Sequence, residues 1–139
     1  MEDFRELWKA VEEAELVDGH AHNIVAVDSS FSFISGFTEA QGDALSDAVH
    51  SLSFKRNLKD IAELYGCEKS LNGVEEYRRV SGLESITSAC FKAAKISAIL
   101  IDDGIEFDKH HEIEWHKSFA PFVGRILRIE RLAEKILDE

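Results

Sequence analysis

Proline occurs once in the 139 residues and cysteine twice. With one proline and a 45% apolar content, the composition excludes a disordered or low-complexity chain and points to an ordered, helix-rich globule. Cys67 and Cys90 form no C-x-x-C pair, so they read as buried, reduced thiols and not as a disulfide framework. Positive charge is also short. Sixteen Lys and Arg stand against 27 Asp and Glu, a net charge of −11. The densest basic groups, Lys55-Arg56 and Arg78-Arg79, sit inside helical patterns and form no stripe. A nucleic acid or an anionic membrane is therefore not an expected partner. No apolar run reaches the roughly 18 residues of a membrane span, and the acidic N-terminus lacks the charge pattern of a signal peptide. The expected setting is cytoplasmic, and the length suits one domain over 1–139.

What the chain does contain is organised around Leu16-Val17-Asp18-Gly19-His20-Ala21-His22-Asn23. An apolar run ending in His-x-His reads as a strand with two imidazoles at its C-terminal end. Side chains at i and i+2 of a strand share a face, so His20 and His22 can reach one Zn2+ or another divalent ion. Two ligands do not complete a catalytic metal site, and others must come from elsewhere. Asn23 either orients a ligand or water or is a plain turn residue; both readings stand.

Ahead of this strand, Phe4, Leu7, Trp8 and Val11 follow helical spacing over 3–15, with the stripe expected to pack on a sheet and an exposed interaction helix as the alternative. Residues 23–37 read as an irregular loop. Thr38-Glu39-Ala40-Gln41 resembles a capping box opening a helix over 38–50. Ser53 is expected to cap the next helix, which stops at Gly66, and Asn72-Gly73 to open a short one reaching Val80. Residues 84–95 form a further helix. Ile96 to Ile101, closed by Asp102-Asp103-Gly104, is a continuous apolar run fitting a buried parallel strand. Asp108 is expected to cap a helix over 109–118 carrying His110, His111 and His116, whose spacing suits surface residues better than ligands; His50 also reads as surface. A third strand at 123–128 runs into a last helix with Ile129, Leu132, Ala133 and Ile136 on one face. The alternation gives an α/β fold with about three parallel strands and six or seven helices.

In this order VDGHAHN, SAILIDDGI and FVGRILRIE resemble the N-terminal part of the amidohydrolase-like (amidohydrolase 2) domain of nodulin/glutamine synthetase-like fusion proteins of the early nodulin type. The resemblance implies a partial (β/α) barrel, truncated relative to a full TIM barrel, with the site at the strand C-termini. His20 and His22 match the family's first-strand metal motif. Asp102 and Asp103 match a second strand end, and Arg128 and Glu130 a third, all on the side of a substrate; Asp102 or Glu130 is a candidate to complete a metal site. The family's other ligands come from later strands, so no catalytic residue is assigned here. Three strands leave an open edge, for which a homo-oligomer, a covering partner chain or the helices of residues 38–82 wrapped over the sheet are the expected remedies. The expected function is that of a shortened, nodulin-related amidohydrolase-like protein, binding a divalent metal and not catalytically complete alone. The alternatives are a metal-dependent hydrolase of C–N or related bonds, completed by oligomerisation, and a small α/β binding module without metal.

Overall fold

The computed structural model describes residues 4–105 and 107–138. Its contacts divide the chain into two compact units. One comprises Met1–Asn23, Phe91–Ile105 and Glu112–Glu139; the other comprises Ile24–Cys90 and Glu106–His111.

The first unit holds the sheet. Strands β1 (Leu16–His22), β2 (Ile96–Asp102) and β3 (Phe122–Arg125) run parallel in the order β1-β2-β3. Each strand lies beside its neighbour in sequence, as in a barrel wall, and the fold is α/β, consistent with a partial β/α arrangement. The central strand is the most buried because it is paired on both edges. Its Ile99 and Ile101 join Ala120 in a core flanked by Ala21, Phe91, Ile113 and Val123. The third strand is shorter than the sequence suggests. It ends at Arg125, although Ile126 still donates its N–H to the Ile101 carbonyl at 2.8 Å.

Helices α1 (Arg5–Glu13) and α6 (Ile129–Leu137) form as expected, but their apolar stripes are not buried. Phe4, Leu7, Trp8 and Val11 are all more than half exposed, and Ile129 and Ile136 are at least as open. Periodicity correctly placed these residues on one face; the expectation that α1 packs on the sheet is overturned, because among the described residues nothing covers that face. The expected 109–118 helix shrinks to one turn, α5 (Ile113–His116). Lys109 takes a left-handed conformation with φ of 52°, which no α-helix accommodates. His116 is buried rather than on the surface; its Nδ1 donates to the Glu112 carbonyl at 3.0 Å.

The second unit is built on α2 (Leu52–Tyr65), α3 (Leu71–Ser81) and most of α4 (Leu83–Ala93). Ala62, Tyr65, Val74 and Ile86 are its buried centre. The helix starts differ from the expected ones by two residues. Ser51, not Ser53, caps α2 by accepting the Phe54 N–H at 3.1 Å, and Ser70 caps α3 by accepting from Gly73 at 3.0 Å. The stop at Gly66 is as expected: with φ of 67° it takes the left-handed cap that glycine adopts without a Cβ penalty. Residues Phe33–Phe37 and Gly42–His50 form 3-10 helices rather than a loop and an α-helix. Thr38 does not make the expected capping box, since its hydroxyl accepts from Ala40 two residues on. Cys67 and Cys90 are free and half-buried.

Candidate metal centre

The His-x-His segment does not sit on a regular strand. β1 pairs with β2 through Asp18↔Ile99 and then Ala21↔Ile101, so β1 spends one more residue than its partner across that interval. This is a bulge at Gly19-His20, and a bulge re-aims the side chain it carries. Asp18 stabilises it locally, its carboxylate accepting the His20 N–H at 3.1 Å. Regular pairing resumes at His22↔Asp102. Paired residues of a parallel ladder project to one face, so both histidines converge on the end of β2.

Asp102 is the centre of that convergence. Its exposure is 1%, and a buried carboxylate persists only with strong partners. Arg128, just ahead of α6, supplies them in a forked contact: Nε donates to Oδ1 at 2.8 Å and Nη2 to Oδ2 at 2.5 Å. The Gly104 N–H adds a third donor to Oδ1 at 3.1 Å. His20 Nε2 lies 3.1 Å from Oδ2. The Arg128 guanidinium holds the Asp102 carboxyl well below the usual range against the opposing effect of burial, with smaller help from Gly104 and His20. Reciprocally, Asp102 raises the Arg128 pKa.

These contacts assign the imidazole protons. A carboxylate and a carbonyl only accept, so His20 donates from Nε2 to Asp102 Oδ2, and His22 donates from Nδ1 to the Asp102 carbonyl at 3.3 Å. The lone pairs then reside on His20 Nδ1 and His22 Nε2. The rings lie 5.3 Å apart between centroids. Ligand atoms of His20, His22 and Asp102 all fall within 4.8 Å of one another, so the group can hold a metal ion. Two imidazoles and a carboxylate are a donor set suited to Zn2+ or a similar divalent ion. Within that set Asp102 is already heavily engaged: four donors share its two oxygens.

The remaining candidates are placed as follows. Asn23 is buried at the end of the strand segment. Asp103 turns to Arg125, whose Nη2 is 2.7 Å from its carboxylate. Glu130 is exposed and 3.8 Å from Arg128. Arg128 reaches the site, but its role in the fold is to hold Asp102. Two contributors escape the sequence reading. Asp18 caps the bulge, for which the Asp-Gly dipeptide was the available signal. Gly104 leaves room for Arg128, since a Cβ there would sit 2.6 Å from Arg128 Cδ and 2.8 Å from Nε.

Comparison with known proteins returns a distant relative. The chain is 29% identical over 134 residues to Protein fluG of Emericella nidulans, a match covering 89% of this chain and 15% of that protein. The chain thus spans about 15% of the length of the curated relative it matches. No family model matches the chain, and no solved structure does. Among the described residues no helix is long and apolar enough to cross a membrane.

Proposed function

We propose that this chain is an amidohydrolase-like, nodulin-related segment that binds a divalent metal ion, Zn2+ or one of similar preference, through His20 and His22. The observation that carries this reading is the bulge that brings both imidazoles to Asp102. The motifs VDGHAHN, IDDG and RILRIE support it. His20 and His22 are the ligands. Asp102, gripped by Arg128, fixes the tautomer and ring orientation of His20, as a carboxylate behind a ligating histidine does. A metal bound there would polarise a substrate oxygen or lower the pKa of a bound water. Hydrolysis needs at least one further ligand and a group to take a proton from water, and these come from outside the His20, His22 and Asp102 set.

A second reading makes the chain a metal-dependent hydrolase of C–N or related bonds whose ligands are completed by a second copy or a covering chain. The exposed stripes of α1 and α6 favour it, because contiguous apolar faces of this kind mark association surfaces. Cobalt substitution tests the shared premise. Co2+ added to the chain should develop visible absorption bands of nitrogen ligation, and a spectrum identical to aqueous cobalt would leave the non-metal α/β module as the surviving description.

A further inference from the structure

The second unit contains a cavity of about 670 Å³, within the size range of small-ligand sites. One wall is the segment 24–36 and the other is α3. The segment is held in place from behind. Val25 pairs with His110, Ser29 donates to the Asp108 carbonyl at 2.8 Å, and Lys109 closes on Asp28 at 2.7 Å. Its lining is predominantly apolar, with Ile24, Val25, Val27, Phe31 and Phe33.

The charged groups around this cavity are not equivalent. Asp28 is neutralised by Lys109, and Arg79 by a two-point contact with Glu76 at 2.9 and 2.6 Å. Arg78 is half-buried and has neither arrangement. Its guanidinium lies 4.7 Å from the centre of the Phe33 ring, and Nη1 donates to the Tyr65 hydroxyl at 3.5 Å. Tyr65 carries no charge to offset it: burial and the contact with Cys90 push its pKa up to about 12. The same hydroxyl lies 3.5 Å from Cys90 Sγ, so Tyr65 is engaged on both sides. Among the described residues no carboxylate stands within ion-pair distance of Arg78. In a chain with net charge −11 this is an oriented cation without an anion, at the edge of an apolar cavity.

We propose that this cavity binds an amphipathic monocarboxylate, with its carboxylate on Arg78 and its apolar body along Val25, Val27 and Phe31. The planar guanidinium matches a carboxylate through two parallel N–H donors. Stacking on Phe33 and the bond to Tyr65 hold that fork in one orientation, so little side-chain entropy is lost on binding. Glu75, exposed on the same helix and lining the same cavity, disfavours a second negative charge on the ligand. The site is independent of the metal reading.

Octanoate is the probe, with octylamine and 1-octanol as controls, by titration calorimetry on the full chain. Octanoate should saturate one site per chain, octylamine should not bind, and the alcohol should bind more weakly. Arg78→Gln should weaken octanoate at least tenfold, with Arg78→Lys between the two. Val27→Trp fills the apolar wall at a position that is already 43% exposed, so it should abolish binding without lowering the melting temperature. The proposal is overturned by non-saturating octanoate, by equal binding of octylamine, or by octanoate binding that survives Val27→Trp. If Arg78→Gln does not fold, the Val27→Trp and amine results decide alone.

Discussion

Arg128 and Asp102 form a forked ion pair across 26 residues, with contacts of 2.8 and 2.5 Å to the two carboxylate oxygens. The pair ties the start of α6 to the end of β2 and fixes the carboxylate that faces His20. It joins stability and site geometry in one contact, and most of the expected variant effects run through it.

Removing Arg128 should cost more than removing an exposed ion pair. Asp102 is 1% exposed, so Arg128→Gln leaves a buried carboxylate without its main counter-charge. The expected result is a lower melting midpoint for Arg128→Gln than for Arg131→Gln, whose partner Glu134 is solvent-exposed. Thermal melts of the two variants at neutral pH check this.

Stability should fall in acid for the same reason. Asp102 is depressed in the folded chain, so in the acid range the unfolded chain binds more protons and stability rises with pH. The contribution is fully present above the ordinary aspartate value of about 3.9 and is lost as pH falls below it toward the folded value. Asp102→Asn removes this titration. Melting temperature followed from pH 7 to pH 3 should decline less steeply for Asp102→Asn than for the wild type, even though the variant starts lower.

Two glycines should respond unequally to alanine. At Gly104 a Cβ meets Arg128 at 2.6 Å, and Arg128 cannot retreat without releasing Asp102. Overpacking of this kind costs about 1–3 kcal/mol. At Gly19 nothing lies within 4 Å of the added carbon, so Gly19→Ala should stay within about 0.5 kcal/mol. Urea unfolding of both variants measures the difference.

The apolar stripes of α1 and α6 should drive association. Trp8 is 66% exposed and Ile136 is 64% exposed. Wild-type chain should sediment above the monomer mass, and the Trp8→Glu/Ile136→Glu double variant should sediment closer to it with no loss of helix content. A monomeric wild type would remove the second functional reading.

Much of this was legible in the sequence, and the failures share a cause. The apolar run at 96–101, the His-x-His strand and the Gly66 stop were readable because burial on both faces, strand alternation and a left-handed cap each leave a local signature. The fate of the Trp8 and Ile129 stripes was not, since periodicity says which side is apolar and not what covers it. Loss of the 109–112 helix follows from the left-handed Lys109 and the Val25–His110 pairing, and the burial of His116 is likewise a tertiary outcome that no local spacing encodes. The sequence placed His20 and His22 two apart on a strand. The bulge that aims His20 at Asp102 depends on register with β2, which no local pattern encodes. Arg128 was readable as a residue near the site but not as the partner of Asp102.

The central claim is that His20 and His22 bind the metal while Asp102 orients His20. Zinc titration calorimetry on the wild type, His20→Ala/His22→Ala and Asp102→Asn tests all three residues at once. Saturable zinc binding by the wild type is expected, with loss in the double-histidine variant and a weakening of about 10–100-fold in Asp102→Asn, the usual cost of losing a carboxylate behind a ligating histidine. Equal, weak zinc binding by the wild type and the double-histidine variant would contradict it.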